Sequence, residues 1–92
     1  ANYSVAIGAS SAGNGAQTIT GAGAVALGGA YASGTDSFAA AIANSTSSYG
    51  ASGANSVAMG ANAKSSGLRA ISLGRFGQAT NTRSINIGDS AV

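Results

Sequence analysis

The chain is predicted to be all-β, a parallel β-roll in which short strands stack coil upon coil as a solenoid of about 14-residue repeats. Three observations lead to this class. A five-residue pattern recurs along the whole length, its copies keep a nearly constant interval, and a second column of glycines runs in step with them. The pattern is a small residue, a bulky apolar one, a small or polar one, a second bulky apolar one, then glycine. It stands at Ser4-Val5-Ala6-Ile7-Gly8, Ala24-Val25-Ala26-Leu27-Gly28, Ser56-Val57-Ala58-Met59-Gly60, Ala70-Ile71-Ser72-Leu73-Gly74 and Ser84-Ile85-Asn86-Ile87-Gly88. A weaker sixth copy is Ser37-Phe38-Ala39-Ala40-Ala41. Side chains alternate with period 2, so each copy reads as a short strand that its glycine ends.

The copies begin at residues 4, 24, 37, 56, 70 and 84, at intervals of 20, 13, 19, 14 and 14. A short period with occasional insertions is expected when each repeat covers its neighbour and extra residues bulge outward. Fourteen residues suffice for two strands and two tight turns, at a rise of roughly 3.3 Å per strand residue.

Taken in order, the first copy is followed by a long small-residue stretch from Ala9 to Gly23 containing Thr18, Ile19 and Thr20. The second leads into the shortest connection, Gly29 to Asp36, which carries Tyr31. In the third, Phe38 and Ala40 hold the apolar places but Ala41 stands where the others have glycine. Ile42 and a polar run containing Thr46 and Tyr49 follow. The last three copies keep an even interval of 14, and residues 84–92 read as the start of a coil, so the chain is expected to be one β-roll unit, residues 1–92, cut from a longer fibre.

Three residues before each new copy stand Gly21, Gly34, Gly53, Gly67 and Asn81. Glycine and asparagine tolerate the left-handed backbone region at least cost, so this column is expected to turn the coil through positive φ. The strand-end glycines would make the other corner or let a neighbouring backbone approach. The same register places Arg69 and Arg83 in one column, splayed into solvent, and lets Arg75 pair with Asp89 on the next coil. An exposed pair of this kind supports register and is not a site.

Composition excludes several classes. The 92 residues contain no histidine, cysteine, proline or tryptophan, and the charged residues are four basic and two acidic, for a net charge of +2. No disulfide or thiol chemistry is available, and no acid-base pair is assembled by the two aspartates, Asp36 and Asp89, so no enzyme, cofactor or metal site is expected. The glycines are not followed by the Lys-Ser/Thr of a phosphate loop, and a calcium-binding roll would need an acidic residue in every repeat. Scattered basic residues do not argue for nucleic acid. No apolar run approaches the 18 residues that a spanning helix needs, so no membrane insertion is expected.

What buries the bulky residues is left open by the pattern. If the small column lines the interior, then Val, Ile, Leu and Met form an outward apolar stripe that calls for partner chains. If the assignment is reversed, the interior holds the bulky residues and the surface is rich in Ala and Ser.

The copies SVAIG, AVALG, SVAMG, AISLG and SINIG, spaced near 14, resemble the YadA-like head repeats of trimeric autotransporter adhesins. The resemblance implies a left-handed parallel β-roll, three chains packed as a homotrimer, and an extracellular place on the bacterial outer-membrane surface. It also implies attachment to an unidentified receptor on a host cell or its matrix. Similar repeats occur in bacteriophage tail fibres, so a virion receptor-binding segment and a pure fibre spacer are alternatives. A monomeric ice-binding solenoid is a third, although the threonines form no column repeated in every coil. In the homotrimer the packing residues would be Val5, Ile7, Val25, Leu27, Phe38, Val57, Met59, Ile71, Leu73, Ile85 and Ile87. Candidate receptor contacts are Thr18, Ile19, Thr46 and Tyr49 in the insertions, with Tyr31 and Phe76, because loops and tyrosines on a rigid scaffold commonly carry recognition.

Overall fold

The computed structural model describes residues 3–9, 11, 13, 15–18, 20–43, 46 and 48–91. Every copy of the pattern is a three-residue strand: β1 (Val5–Ile7), β2 (Val25–Leu27), β3 (Phe38–Ala40), β5 (Val57–Met59), β7 (Ile71–Leu73) and β9 (Ile85–Ile87). Between them lie two-residue strands, β4 (Gly50–Ala51), β6 (Lys64–Ser65) and β8 (Gln78–Ala79). The first set forms one sheet in the order β1-β2-β3-β5-β7-β9 and the second a sheet β4-β6-β8, all paired in parallel. Parallel bridges Gln17 to Tyr31 and Ala32 to Ala51 extend the second sheet towards the first coils. The molecule measures 28 × 25 × 15 Å, and six strands at a spacing of about 4.8 Å account for the length of the stack.

Register follows the pattern through both insertions. Val5 pairs with Val25, Val25 with Phe38, Phe38 with Val57, Val57 with Ile71 and Ile71 with Ile85. The weak third copy is therefore an ordinary rung, because parallel pairing needs backbone alternation and not glycine at its end.

The small column faces inward. Ala24, Ala26, Ala39, Ala58, Ser56 and Ser72 from the first sheet are buried against Ala32, Ala51, Ser65 and Ala79 from the second. Two short strands can be laid this close only if what separates them is a methyl or a hydroxymethyl, and close packing leaves no slack for more. Ile42 is the single large side chain fully buried in the interior of the described residues. It occupies the third coil, where the pattern loses its glycine and the second insertion begins.

Two tight turns close each regular coil. On one side Ala70 N–H donates to Gly67 O at 3.1 Å and Ser84 N–H to Asn81 O at 3.1 Å, closing four-residue turns. Positive φ does fall on this corner, but two residues beyond the expected column, at Asp36 (54°), Asn55 (59°), Arg69 (60°) and Arg83 (62°). That is the third position of a type II turn. The gain is a hydrogen bond along the roll: Arg69 N–H donates to Ala54 O at 2.9 Å and Arg83 N–H to Leu68 O at 2.8 Å. The expectation that Gly21, Gly34, Gly53, Gly67 and Asn81 turn through positive φ is thus corrected, as none of the five has it. Glycine is needed there for proximity. A Cβ on Gly34, Gly53 or Gly67 would lie 2.1–2.2 Å from the carbonyl oxygen of the same column in the next coil. At the opposite corner Gly60, Gly74 and Gly88 combine positive φ with the turn, as a strand-end glycine should.

Candidate interaction surfaces

The outward faces of the two sheets differ. On the first sheet the outward residues form two six-rung columns in register: Val5, Val25, Phe38, Val57, Ile71, Ile85 and Ile7, Leu27, Ala40, Met59, Leu73, Ile87. None is charged or polar. Exposure is greatest at the two ends, 61% at Ile7 and 63% and 69% at Ile85 and Ile87, while Val25, Leu27, Phe38, Val57, Ile71 and Leu73 are half-buried by their neighbours along the column. The outward residues of the second sheet include Lys64, Gln78, Ser52, Ser66 and Thr80, and are mostly polar. One face of the roll is therefore built for water and the other is not. A contiguous apolar stripe of this kind marks an interaction surface.

The insertions share a corner. Both begin after a first-sheet strand, at Gly8 and at Ala41, and both return to the second sheet. The first is pinched at its base by an antiparallel bridge between Ala9 and Gly15, with Ala16 N–H donating to Gly8 O at 3.0 Å. The candidate contacts around them separate on inspection. Thr18 is buried, with its hydroxyl donating to Ser4 Oγ at 2.9 Å, so it packs the first coil and is withdrawn as a receptor contact. Ile19 lies outside the described residues. Thr46 is exposed. Tyr49 is half-buried against the alanine and Ile42 cluster, and Tyr31 is half-buried on the second sheet.

Phe76 stands exposed on a turn with φ of 58°, and the Arg75 guanidinium lies 5.1 Å from the centre of its ring. The same arginine donates to Asp89 on the next coil at 3.0 Å, as the register foretold. That hydrogen bond holds the Asp89 carboxyl below its usual value and raises Arg75 above its own. Arg69 and Arg83 are exposed, 14 residues apart on one corner. Two features escaped the pattern. Ile42 faces inward although nothing in its flanks marks it, beyond the loss of glycine beside it. Leu68 is 42% exposed on a turn, adding an apolar side chain to an otherwise polar edge.

Among the described residues there is no enclosed pocket and no cluster of metal-ligating side chains, and no helix long and apolar enough to cross a membrane. What the geometry defines is a repetitive scaffold with one apolar face. Residues 51–76 match the model of the YadA head domain repeat, in two copies. This repeat is a structural, non-catalytic unit, and the match is consistent with no enzymatic activity. The match falls on the evenly spaced coils around Val57–Met59 and Ile71–Leu73. Comparison with curated proteins and with solved structures gave no match.

Proposed function

We propose that the protein is a segment of a homotrimeric attachment fibre displayed outside the cell, a left-handed β-roll that carries adhesive contacts to a receptor on a host cell or its matrix. One observation carries this reading: the roll fills its interior mostly with alanine and serine and turns the valines, isoleucines and leucines of its first-sheet strands outward. Three chains that bring these faces together would bury the stripe and leave the polar second sheets in solvent. The handedness and the count of three follow from the resemblance of the repeats to YadA-like heads, as does the location on a bacterial outer-membrane surface. The shared corner would then present both insertions, with Thr46 and parts of Tyr31 and Tyr49, on the outside of the assembly.

The small, plain side chains of the second sheet favour a second reading, a spacer that lengthens a fibre by about 4.8 Å per coil while contact is made elsewhere. Binding of the 92-residue protein to cultured animal cells, matrix-coated wells and bacterial envelopes separates these. Saturable binding to cells or matrix that falls when residues 43–49 are replaced by a short turn supports adhesion. Binding to bacterial envelopes alone points to a virion fibre, and no binding by a folded assembly leaves the spacer.

A further inference from the structure

Each first-sheet strand joins two corners of its coil, which form the two edges of the apolar face. Before β7 stand Leu68 and Arg69, and after it Arg75 and Phe76; around β9 the corresponding residues are Thr82 and Arg83, then Asp89 and Ser90. Backbone bonds stack these into columns. Arg83 N–H donates to Leu68 O at 2.8 Å on one edge, and Ser90 N–H to Arg75 O at 2.7 Å on the other. Apart from Tyr3 on the first coil, Leu68 and Phe76 are the exposed large apolar side chains outside the two outward columns of the first sheet, at 42% and 41%. They lie on one coil, at opposite edges. Neither place calls for an apolar group, since the neighbours in the Leu68 column are Ala54 and Thr82 and those in the Phe76 column are Asn62 and Ser90. Phe76 also takes a φ of 58°, a conformation that bulky side chains rarely adopt.

We infer that these edges are the seam between chains: Leu68 of one chain packs on Phe76 of the next, and on the following coil Arg83 pairs with Asp89 of the next chain. This rests on the homotrimeric reading. In a closed ring of three, contacts are heterologous, so one edge of a chain meets the opposite edge of its neighbour. Burying a stripe that runs along the roll places the rotation axis along it too, and such a rotation leaves every coil at its own height. The corner before a strand therefore meets the corner after the same strand. At β7 this joins the two stray apolar side chains, and at β9 it joins opposite charges. Arg69 comes level with Arg75, whose charge Asp89 already holds at 3.0 Å, and with the Phe76 ring, whose face attracts a cation. Asp89 has lone pairs for a second donor beside Arg75. The insertions leave the Phe76 edge at the first and third coils and do not intervene at β7 and β9.

The test uses cysteine pairs beside these contacts, in a chain that has no cysteine of its own. One member stands on the first edge, at Ala54→Cys or Thr82→Cys, and the other on the second, at Asn62→Cys or Ser90→Cys. A disulfide spans Cα atoms about 4.4–6.8 Å apart, less than the roughly 9.6 Å between coils two apart, so it reads the level of the seam. On a sample with the mass of three chains, oxidation should convert the level pairs, 54 with 62 and 82 with 90, to covalent trimers, and leave the crossed pairs, 54 with 90 and 82 with 62, unlinked. A trimer in which the level pairs link no faster than the crossed ones, or in which no pair links, overturns the inference and leaves the homotrimer standing. A folded single chain overturns the homotrimer and the seam with it.

Discussion

The two corners of the coil are made from similar residues yet tolerate different things. At the corner of Gly53 and Gly67 the ladder of turn hydrogen bonds runs unbroken from the second coil to the last: Asp36 to Ala22, Asn55 to Thr35, Arg69 to Ala54 and Arg83 to Leu68, all 2.8–2.9 Å. Both insertions lie at the other corner. There the equivalent ladder runs only from Ile42 onward, through Asn62 to Ile42 at 2.7 Å, Phe76 to Ala61 at 2.9 Å and Ser90 to Arg75 at 2.7 Å. One corner is a spine whose backbones touch, and the other is a gate through which the chain can leave and return. Sequence variation is admitted where coils do not need one another's carbonyls.

The comparison can be broken most directly at the spine. Gly67→Ala places a methyl against the Asn81 backbone and should destabilise the fold by at least about 3 kcal/mol in chemical denaturation, because neither backbone can yield. Asn81→Ala, in the same column with no coil stacked on it among the described residues, should stay within about 0.5 kcal/mol of the parent in the 92-residue chain. Next in size is the interior. Ala58→Leu overfills the gap between the sheets and should cost about 2–3 kcal/mol, whereas Ile71→Leu on the outer face should leave the denaturation midpoint of the single chain nearly unchanged.

A smaller effect of opposite sign is expected at Ser72, whose hydroxyl is buried and has no hydrogen-bond partner. Ser72→Ala restores the alanine found at this place in four earlier coils, Ala6, Ala26, Ala39 and Ala58, and should stabilise by about 1 kcal/mol. At the gate, deleting residues 11–13, which leaves a two-residue connection across the Ala9–Gly15 bridge, should change stability by no more than about 0.6 kcal/mol, since loop closure depends weakly on length. An insertion of equal length between Leu68 and Arg69 should unfold the neighbouring coils.

The smallest effect is electrostatic. Because hydrogen bonding to Arg75 lowers the Asp89 carboxyl in the folded chain, this pair adds stability above the ordinary carboxylate pKa and loses it as pH falls through the lowered value. Melting curves of Arg75→Ala and the parent should therefore differ slightly at pH 7 and converge under strong acid. Both groups are fully exposed, so added salt should also narrow the gap.

Strands, register and the Arg75–Asp89 pair were legible in the sequence because all three depend on spacing alone, and spacing is printed along the chain. Which way the alternation faces was not, since Val-Ala-Ile reads the same with either face inward. It took the second sheet, built from two-residue strands too short to show a pattern, to decide it. The glycine column was found but misjudged. A sequence shows that a Cβ is unwelcome, and does not distinguish a forbidden dihedral from a neighbour 2.1 Å away. Arg69 and Arg83, the residues that do take positive φ, are among the least expected for it, and only the hydrogen bond gained along the roll explains their tolerance. Thr18 was chosen for lying in a loop-like stretch, and the parallel bridge at Gln17 draws it instead into the second sheet and buries it.

The proposed assembly rests on the outward apolar face, and the mass of the 92-residue protein in solution tests that most directly. Light scattering on a sample whose circular dichroism is β-rich should give three times 8.6 kDa, and Ile71→Asp should reduce the mass by disrupting the stripe. A folded particle of 8.6 kDa, stable with Ile85 and Ile87 in water, would contradict it.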